Sequence, residues 1–320
     1  MKRTIGFIKS HKENEKRRAL LPSDMQSIQN RSKLYFETGY GDVLNIHDGM
    51  YESLGCKVVT REEALSQDII CDPKVGDAEY ISLLNRGQVV FGWVHAVQNR
   101  LITDCLIDGL LTVYAWEEMF ENGRHVFWRN NELAGEAAII HAFMCYGLLP
   151  EGINVAVLGR GNIAMGAAKS LYRLGAYVNI YNRDTEYLFR QRISEYDVLV
   201  NAILWDTSRN DHIIYKEDLK KMKPGAMIID ISCDEEKAVE TTKATTIENP
   251  IYEIDGIIHY AVDHTPSLFY KSASKVISNE VAKYVDLLIE RRENDVLHNS
   301  RIIRDGQILD QKIVDYQARG

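Results

Sequence analysis

Residues 154–184, NVAVLGRGNIAMGAAKSLYRLGAYVNIYNRD, constrain the fold of this chain more than any other stretch. An apolar strand pattern leads directly into the spacing Gly159-x-Gly161-x-x-Ala164, which is followed by a helix-length segment and a second strand pattern. Gly159 permits a tight turn, Gly161 lets the backbone approach a pyrophosphate, and Ala164 is small enough for close helix packing. This order of elements favours a dinucleotide site over a glycine-rich turn without a ligand. We predict that the cofactor contacts the residues of the turn: Gly159, Arg160, Gly161, Asn162, Ile163 and Ala164.

The end of the second strand in this stretch indicates which dinucleotide is bound. An Asp or Glu at that point would accept hydrogen bonds from the ribose 2′-hydroxyl of NAD and would repel a 2′-phosphate. The strand instead ends in Asn182 and Arg183. Asn182 removes the repulsion, and Arg183 offers a planar set of donors to a phosphate dianion. The pair predicts NADP(H) as the cofactor; the alternatives are that Asp184 turns back to serve NAD, or that Arg183 is only solvated.

The composition limits the class of protein. At 320 residues, of which 45% are hydrophobic and 26% charged, the chain is long enough for two domains with a core each. A net charge of −8 argues against nucleic acid or an anionic membrane as the main partner. The five cysteines form no C-x-x-C pair, which indicates a reducing compartment without a disulfide framework or a metal site. The first residues, MKRTIGFIKSHKENEKRR, return to charge too soon for a signal peptide, so a cytoplasmic location is expected.

Short apolar runs alternate with helix-length segments in two series. The first series is TIGFI, KLYFE, KVVT, DIICD, QVVFGW and LLTVYAW, and the second is NVAVLG, YVNIY, VLVNAIL, AMIIDIS and IIHYAVD. Because strands separated by helices form parallel sheets, we predict an α/β fold with two Rossmann-like domains, each a mostly parallel sheet with helices on both faces, separated by a cleft. Residues 1–130 and 276–320 form the predicted substrate domain, and residues 131–275 form the predicted dinucleotide-binding domain.

Helices are expected at PSDMQSIQNR, DAEYISLLN and RLITDCLIDGLL, and in the amphipathic segment SNEVAKYVDLLIERR. The segment ELAGEAAIIHAFMCYGLL, residues 132–149, is apolar on nearly every face. A helix of that kind is buried, which predicts that it lies in a seam between domains or subunits. Because the segment carries Glu136 and His141, it is too interrupted to span a bilayer.

Charged side chains follow three of the predicted strands in the first series. ENEKRRALLP places two arginines after the first strand, Lys74 follows DIICD, and His95 follows QVVFGW. Parallel sheets bind their ligands at the carboxyl ends of the strands. An arginine, a lysine and a titratable imidazole at such positions suit an anionic keto acid. Each residue alone could instead be a solvated cation or a structural hydrogen-bond donor.

These three stretches, the glycine turn and IDISCDE resemble the alanine dehydrogenase and transhydrogenase family over nearly the whole chain. The family pattern E-x-R-x-A-x-x-P is matched by EKRRALLP, which makes Arg17, rather than Arg18, the implied carboxylate-binding arginine. The resemblance also implies three catalytic residues: Lys74, which binds substrate as well, His95, and Asp234 beside the nicotinamide.

The turn after IIHYAV departs from the alanine dehydrogenases, which have Asn-Met-Pro-Gly where this chain has DHTPS. Through GWVHAVQ, DHTPSLFYKSAS and the Asn-Arg pair, the chain most resembles the N5-(carboxyethyl)ornithine synthase branch. That resemblance implies a homo-oligomeric enzyme whose partners are small molecules, pyruvate and a basic amino acid. The implied reaction is NADPH-dependent reductive condensation of pyruvate with the side-chain amine of L-ornithine, or of L-lysine. An alanine dehydrogenase using ammonia, a saccharopine-dehydrogenase-like enzyme and a non-catalytic NADP-binding sensor are the alternatives.

Overall fold

Strands and helices alternate along the chain, and the structure, a computed structural model, describes residues 2–205, 209–233 and 237–319. The strands are β1 (Ile5–Phe7), β2 (Leu34–Glu37), β3 (Lys57–Val59), β4 (Ile69–Cys71), β5 (Val89–Gly92), β6 (Thr112–Ala115), β7 (Phe120–Glu121), β8 (Arg124–His125), β9 (Asn154–Leu158), β10 (Tyr177–Tyr181), β11 (Val198–Asn201), β12 (Met227–Asp230), β13 (Ile251–Ile254), β14 (Ile257–Tyr260), β15 (Arg301–Arg304) and β16 (Gln307–Ile308). The α-helices are α1 (Asp48–Glu52), α2 (Arg61–Leu65), α3 (Arg100–Asp108), α4 (Trp128–Tyr146), α5 (Asn162–Arg173), α6 (Glu186–Arg192), α7 (Tyr270–Ile289), α8 (Asp295–Ser300) and α9 (Gln311–Tyr316). The chain divides into unit 1, which comprises Met1–Phe127 and Tyr270–Gly320, and unit 2, which comprises Trp128–Phe269.

Unit 1 is built on a sheet whose strand order, over the described residues, is β16-β15-β6-β5-β4-β1-β2-β3. The strands from β6 to β3 are parallel, and β15 and β16 add an antiparallel edge. Every residue of β1, β4, β5 and β6 is buried, as is typical of a parallel sheet covered on both faces. The carboxyl ends of these four neighbouring strands therefore lie side by side at one edge of the sheet.

The helices that connect these strands match the predicted ones only in part. The helix predicted at RLITDCLIDGLL is confirmed as α3. The helix predicted at PSDMQSIQNR is wrong, because only Pro22–Asp24 form a single 3₁₀ turn. Asp286 of α7 accepts hydrogen bonds from the backbone N–H groups of Gln29 and Asn30 at 2.8 and 3.0 Å, so these groups do not bond to helical carbonyls. DAEYISLLN also forms a 3₁₀ turn in place of the predicted α-helix.

Unit 2 contains a sheet whose order among the described residues is β10-β9-β11-β12-β14-β13. The pairs from β10 to β14 are parallel, and β13 pairs with β14 in the antiparallel direction. The predicted α/β class, with two mostly parallel sheets and helices, is therefore confirmed. In the part of the chain that the structure describes, no helix has both the length and the apolar character needed to cross a membrane.

Helices α4 and α5 pack at backbone contact within unit 2. A Cβ on Gly135 would lie 2.0 Å from the carbonyl oxygen of Ile163, and a Cβ on Gly166 would lie 2.0 Å from the carbonyl oxygen of Glu132. Glycine is therefore required sterically at both positions. Helix α4 contains most of the apolar segment that was predicted to be buried, yet Met144 on this helix is 75% exposed in the single chain.

Candidate active site

The segment after β1 carries the two neighbouring arginines. Arg17 is buried, and its Nε and Nη2 donate to the carboxylate of Glu15 at 2.9 and 2.6 Å. Its guanidinium also lies 5.1 Å from the ring centre of Trp93. Arg18 is buried as well, but it donates to the backbone carbonyl groups of Tyr40 and Arg17. Arg18, whose guanidinium lies 5.5 Å from the ring centre of Tyr40, therefore stabilises the local backbone, whereas Arg17 is oriented by an acid as well as by an aromatic ring.

Lys74 lies in the loop after β4, and its ammonium group pairs with Asp77 at 3.0 Å. The loop is fixed by Asp72, whose fully buried carboxyl accepts a hydrogen bond from the backbone N–H of Lys74 at 2.9 Å. Asp72 also accepts from the hydroxyl groups of Tyr80, at 2.7 Å, and Ser10. Burial raises the pKa of Asp72 above its ordinary value in spite of these donors. The position of Lys74 thus depends on the buried carboxyl group of Asp72. The sequence shows that Asp72 is two residues away but does not show this hydrogen bond.

Glu15 interacts with both of these cations. Its side chain is fully buried. Burial alone would raise the pKa of Glu15, but the charge and hydrogen bonds of Arg17, together with the charge of Lys74, hold it below its ordinary value. Glu15 is therefore an ionised carboxylate, and the structure brings Arg17 and Lys74 together around it.

His95 lies in the loop after β5, where its side chain is exposed. Its φ of +51° is in the left-handed region, which is uncommon for a residue other than glycine and occurs often at functional sites. The backbone N–H groups of His95 and Val94 donate to the two carboxyl oxygens of Glu117 at 2.6 and 3.2 Å. Burial raises the pKa of Glu117 to about 7. The conformation of His95 is therefore held by an acid that titrates near neutral pH.

The loops that carry Lys74 and His95 are in direct contact. The backbone N–H of Gly76 donates to the carbonyl oxygen of Trp93 at 3.0 Å. A Cβ on Gly76 would lie 2.0 Å from the Val94 carbonyl oxygen, so the approach requires glycine. Three segments that follow β1, β4 and β5 thus form one edge of unit 1. Asp234, the other predicted catalytic residue, lies outside the described residues.

Three acids of this edge received no role from the sequence: Glu15, Asp72 and Glu117. Glu15 belongs to the E-x-R pattern, and the other two follow predicted strands directly, so the strand-end rule could have found them. Across residues 2–205, 209–233 and 237–319, no group of three or more His, Cys, Asp or Glu side chains is arranged to hold a metal ion.

The glycine turn of unit 2 has the geometry of a pyrophosphate site. Gly159 has a φ of +116°, and a Cβ there would lie 2.8 Å from the carbonyl oxygen of Ala202. Gly161 is the N-cap of α5, and a Cβ on it would meet no atom within 4 Å, so the space beside it is open to a ligand. Ala164 is buried where the helix meets the sheet. With the backbone N–H groups at the start of α5, these residues fit a dinucleotide pyrophosphate.

The end of β10 is the point where the cofactor specificity was predicted. The side chain of Asn182 closes a 3₁₀ turn: its Oδ1 accepts from the Thr185 hydroxyl at 2.7 Å, and its Nδ2 donates to Asp184 at 3.2 Å. Asn182 is therefore engaged in local structure, and Asp184 is turned toward it. Arg183 lines an open pocket of about 430 Å³, and the other lining residues are Glu186, Tyr187, Arg190 and Arg209.

Comparison with known proteins places the chain in a family. The family profile described as alanine dehydrogenase/PNT, N-terminal domain, matches residues 6–128, and the profile of the C-terminal domain matches residues 182–316. The chain belongs to the alanine dehydrogenase/PNT family. The glycine turn lies between the two matched segments. Members of this family bind a nicotinamide cofactor, and the chain is an oxidoreductase of the family.

Individual members of the alanine dehydrogenase/PNT family resemble the chain over most of its length. An N(5)-(carboxyethyl)ornithine synthase of Lactococcus lactis subsp. lactis (strain IL1403) is 31% identical over 297 residues, which cover 88% of this chain and 95% of the relative. A protein with the same name from Clostridium botulinum is 32% identical over 300 residues, which cover 88% and 93%. A solved L-alanine dehydrogenase structure has a TM-score of 0.81 at 21% identity and covers 98% of this chain and 99% of its own, which establishes a shared fold.

Proposed function

We propose that the chain catalyses the NADPH-dependent reductive condensation of pyruvate with the side-chain amine of L-ornithine, or of L-lysine. The product is an N-(1-carboxyethyl) amino acid. The observation that carries the proposal is the group formed by Arg17, Lys74 and His95 at adjacent strand ends of unit 1, in a chain about one third identical to carboxyethylornithine synthases.

Arg17 and Lys74 are the residues that we assign to pyruvate. Arg17 supplies a planar guanidinium that suits a carboxylate, and Glu15 with Trp93 fixes the plane of that group. Lys74 is a compact cation that stabilises negative charge on the keto oxygen. Because both side chains are mostly buried, their interactions with the substrate are screened by water less than surface charges are.

His95 is the residue that we assign to proton transfer. The amine attacks the keto carbon only when it is neutral, and its unperturbed pKa is about 10.4. His95 takes the proton that the amine nitrogen loses on forming the carbinolamine, while the keto oxygen takes up one proton from solvent and becomes a hydroxyl group. His95 then returns its proton to this hydroxyl group, which leaves as water. The carbon–oxygen bond breaks as the nitrogen lone pair forms the protonated imine. Asp234 is assigned to the iminium side of this step, although it lies outside the described residues.

The glycine turn and the start of α5 would hold the cofactor pyrophosphate, and the pocket of Arg183 would hold the adenosine end. When bound, reduced cofactor supplies the hydride that converts the imine to the secondary amine. The overall reaction consumes pyruvate, amine, NADPH and one proton, and it releases water and NADP⁺. We favour NADPH over NADH because the pocket at the end of β10 contains three arginines and one acid among its lining residues.

An assay of the purified chain with pyruvate and NADPH tests this proposal. L-ornithine, L-lysine and ammonia are offered in separate reactions, and the same reactions are run in parallel with NADH. We expect pyruvate-dependent oxidation of NADPH with ornithine or lysine, and a product whose mass equals the condensed, reduced species. Faster turnover with ammonia would instead indicate an alanine dehydrogenase. Oxidation with none of the three amines would contradict the proposed reaction, and a preference for NADH would contradict the proposed cofactor.

A further inference from the structure

The pocket at the end of β10 contains more positive charge than the sequence indicated. Its lining residues include Arg190 of α6 and Arg209, which follows β11, in addition to Arg183. Arg190 lies four residues after Glu186 on α6. Arg209 follows β11, which is separated from β10 in the sheet by β9 alone. The topology of unit 2 therefore gathers at one point three arginines that are up to 26 residues apart in the sequence.

Aromatic rings hold two of these arginines in place. The guanidinium of Arg190 lies 4.8 Å from the ring centre of Tyr215, and the guanidinium of Arg209 lies 4.7 Å from the ring centre of Trp205. A cation stacked on a ring loses less conformational freedom when a ligand binds than a mobile surface arginine does. Both side chains are therefore arranged before any ligand arrives.

Arg209 also neutralises the acid of the pocket. Its Nη1 and Nη2 donate to both carboxylate oxygens of Glu186 at 3.0 and 3.1 Å. Its Nε and Nη2 donate to Asp211 at 2.7 Å each. Without Arg209, the carboxylate of Glu186 would lose these two donors, and its charge would offset part of the positive charge that Arg183 and Arg190 present to an anion.

We propose that Arg183 and Arg190 bind the 2′-phosphate of NADPH, and that Arg209 admits this dianion by neutralising Glu186. The inference rests on the proposed use of NADPH, and it names the residues that produce the preference. Guanidinium groups suit a phosphomonoester because they donate two parallel hydrogen bonds to its oxygens. Arg209 is thus a specificity-determining residue that acts through Glu186, and Arg190 is one that contacts the ligand.

Binding of adenosine 2′,5′-bisphosphate and of 5′-AMP to the whole chain tests the inference by calorimetry without catalysis. The two ligands differ by the 2′-phosphate alone. We expect Arg190→Gln and Arg209→Gln each to weaken binding of the bisphosphate about 10- to 100-fold, with 5′-AMP changed less than about threefold. Arg192→Gln is the matched control, because Arg192 lies on the same helix and pairs with Glu195 outside the pocket lining.

A double substitution separates the two roles. If Arg209 acts by neutralising Glu186, adding Glu186→Gln to Arg209→Gln should restore bisphosphate binding to within about threefold of the unaltered chain. The same addition should not restore Arg190→Gln. Lack of restoration in the folded Arg209→Gln, Glu186→Gln chain, as judged by its circular dichroism, would overturn the role given to Arg209.

The measurements distinguish a wrong assignment of Arg190 and Arg209 from a wrong choice of cofactor. If the unaltered chain binds 5′-AMP as tightly as the bisphosphate and oxidises NADH faster than NADPH, the proposed cofactor is wrong. If the unaltered chain prefers the bisphosphate while Arg190→Gln and Arg209→Gln keep that preference, the cofactor stands and the assignment of Arg190 and Arg209 is wrong.

Discussion

The buried acid beside His95 should make the stability of the chain depend on pH. In the folded chain burial raises the pKa of Glu117 from 4.5 to about 7. The folded chain therefore holds a proton at pH values where the unfolded chain has released it. Since the unfolded state binds fewer protons in this range, the free energy of unfolding falls as the pH rises through it.

The size of this effect follows from the two pKa values. From about pH 5 to about pH 8, a shift from 4.5 to about 7 lowers the free energy of unfolding by about 2–3 kcal/mol. Glu117→Gln cannot titrate, so this loss should be absent from the variant. The variant has one oxygen where the carboxyl group has two acceptors for Val94 and His95, which adds a cost of about 1–3 kcal/mol that does not vary with pH.

Thermal unfolding of the two chains at both pH values measures the effect. The Tm of Glu117→Gln relative to the unaltered chain should rise by about 3–5 °C from the lower pH to the higher one. Glu118→Gln is the matched control, because this neighbouring acid pairs with Lys312 at the surface. A Tm difference between the unaltered chain and Glu117→Gln that is the same at both pH values would refute the reasoning.

Four further substitutions test the site and the packing. Arg17→Lys keeps the charge but loses the planar donors, so steady-state kinetics should show a pyruvate KM about tenfold higher, with NADPH affinity unchanged; Arg18→Lys should chiefly lower the Tm. His95→Ala should lower kcat about 10²–10⁴-fold while NADPH still binds, and near-normal kcat would remove the residue from proton transfer. Gly166→Ala drives a Cβ into the Glu132 carbonyl oxygen, so calorimetry should show a loss of about 1–3 kcal/mol or more.

The strands and the turns at their ends were accessible from the sequence because they depend on local patterns. Apolar runs such as QVVFGW become buried strands, and the glycine turn needs only a strand before it and a helix after it. The segment PSDMQSIQNR shows the limit of local patterns. Its backbone groups bond to Asp286, more than 250 residues away, and no local pattern contains that contact.

The candidate site divides in the same way. The arginine pair, Lys74 and His95 could be selected from their positions after strands, since their chemistry is a property of each residue, whereas the choice of Arg17 over Arg18 came from the family pattern. The raised pKa of Glu117 could not be predicted, because it arises from burial in the folded chain, which outweighs the lowering effect of the hydrogen bonds from Val94 and His95. The same is true of Arg209, which belongs to its pocket through sheet order rather than through sequence spacing.

Glu15 explains how the guanidinium of Arg17 can be buried in the folded chain. A buried guanidinium without a partner would strongly destabilise the chain, so a carboxylate must accompany Arg17 in the folded state. Because Glu15 occupies Nε and Nη2, the orientation of Arg17 is set during folding, and little side-chain entropy is left to lose when a ligand binds. Asp77 accompanies Lys74 in the same way. An acid lies beside each cation, so the edge carries little excess charge. If the edge binds pyruvate as proposed, it would select the ligand by the direction of its donors, which favours a single planar carboxylate over a polyanion.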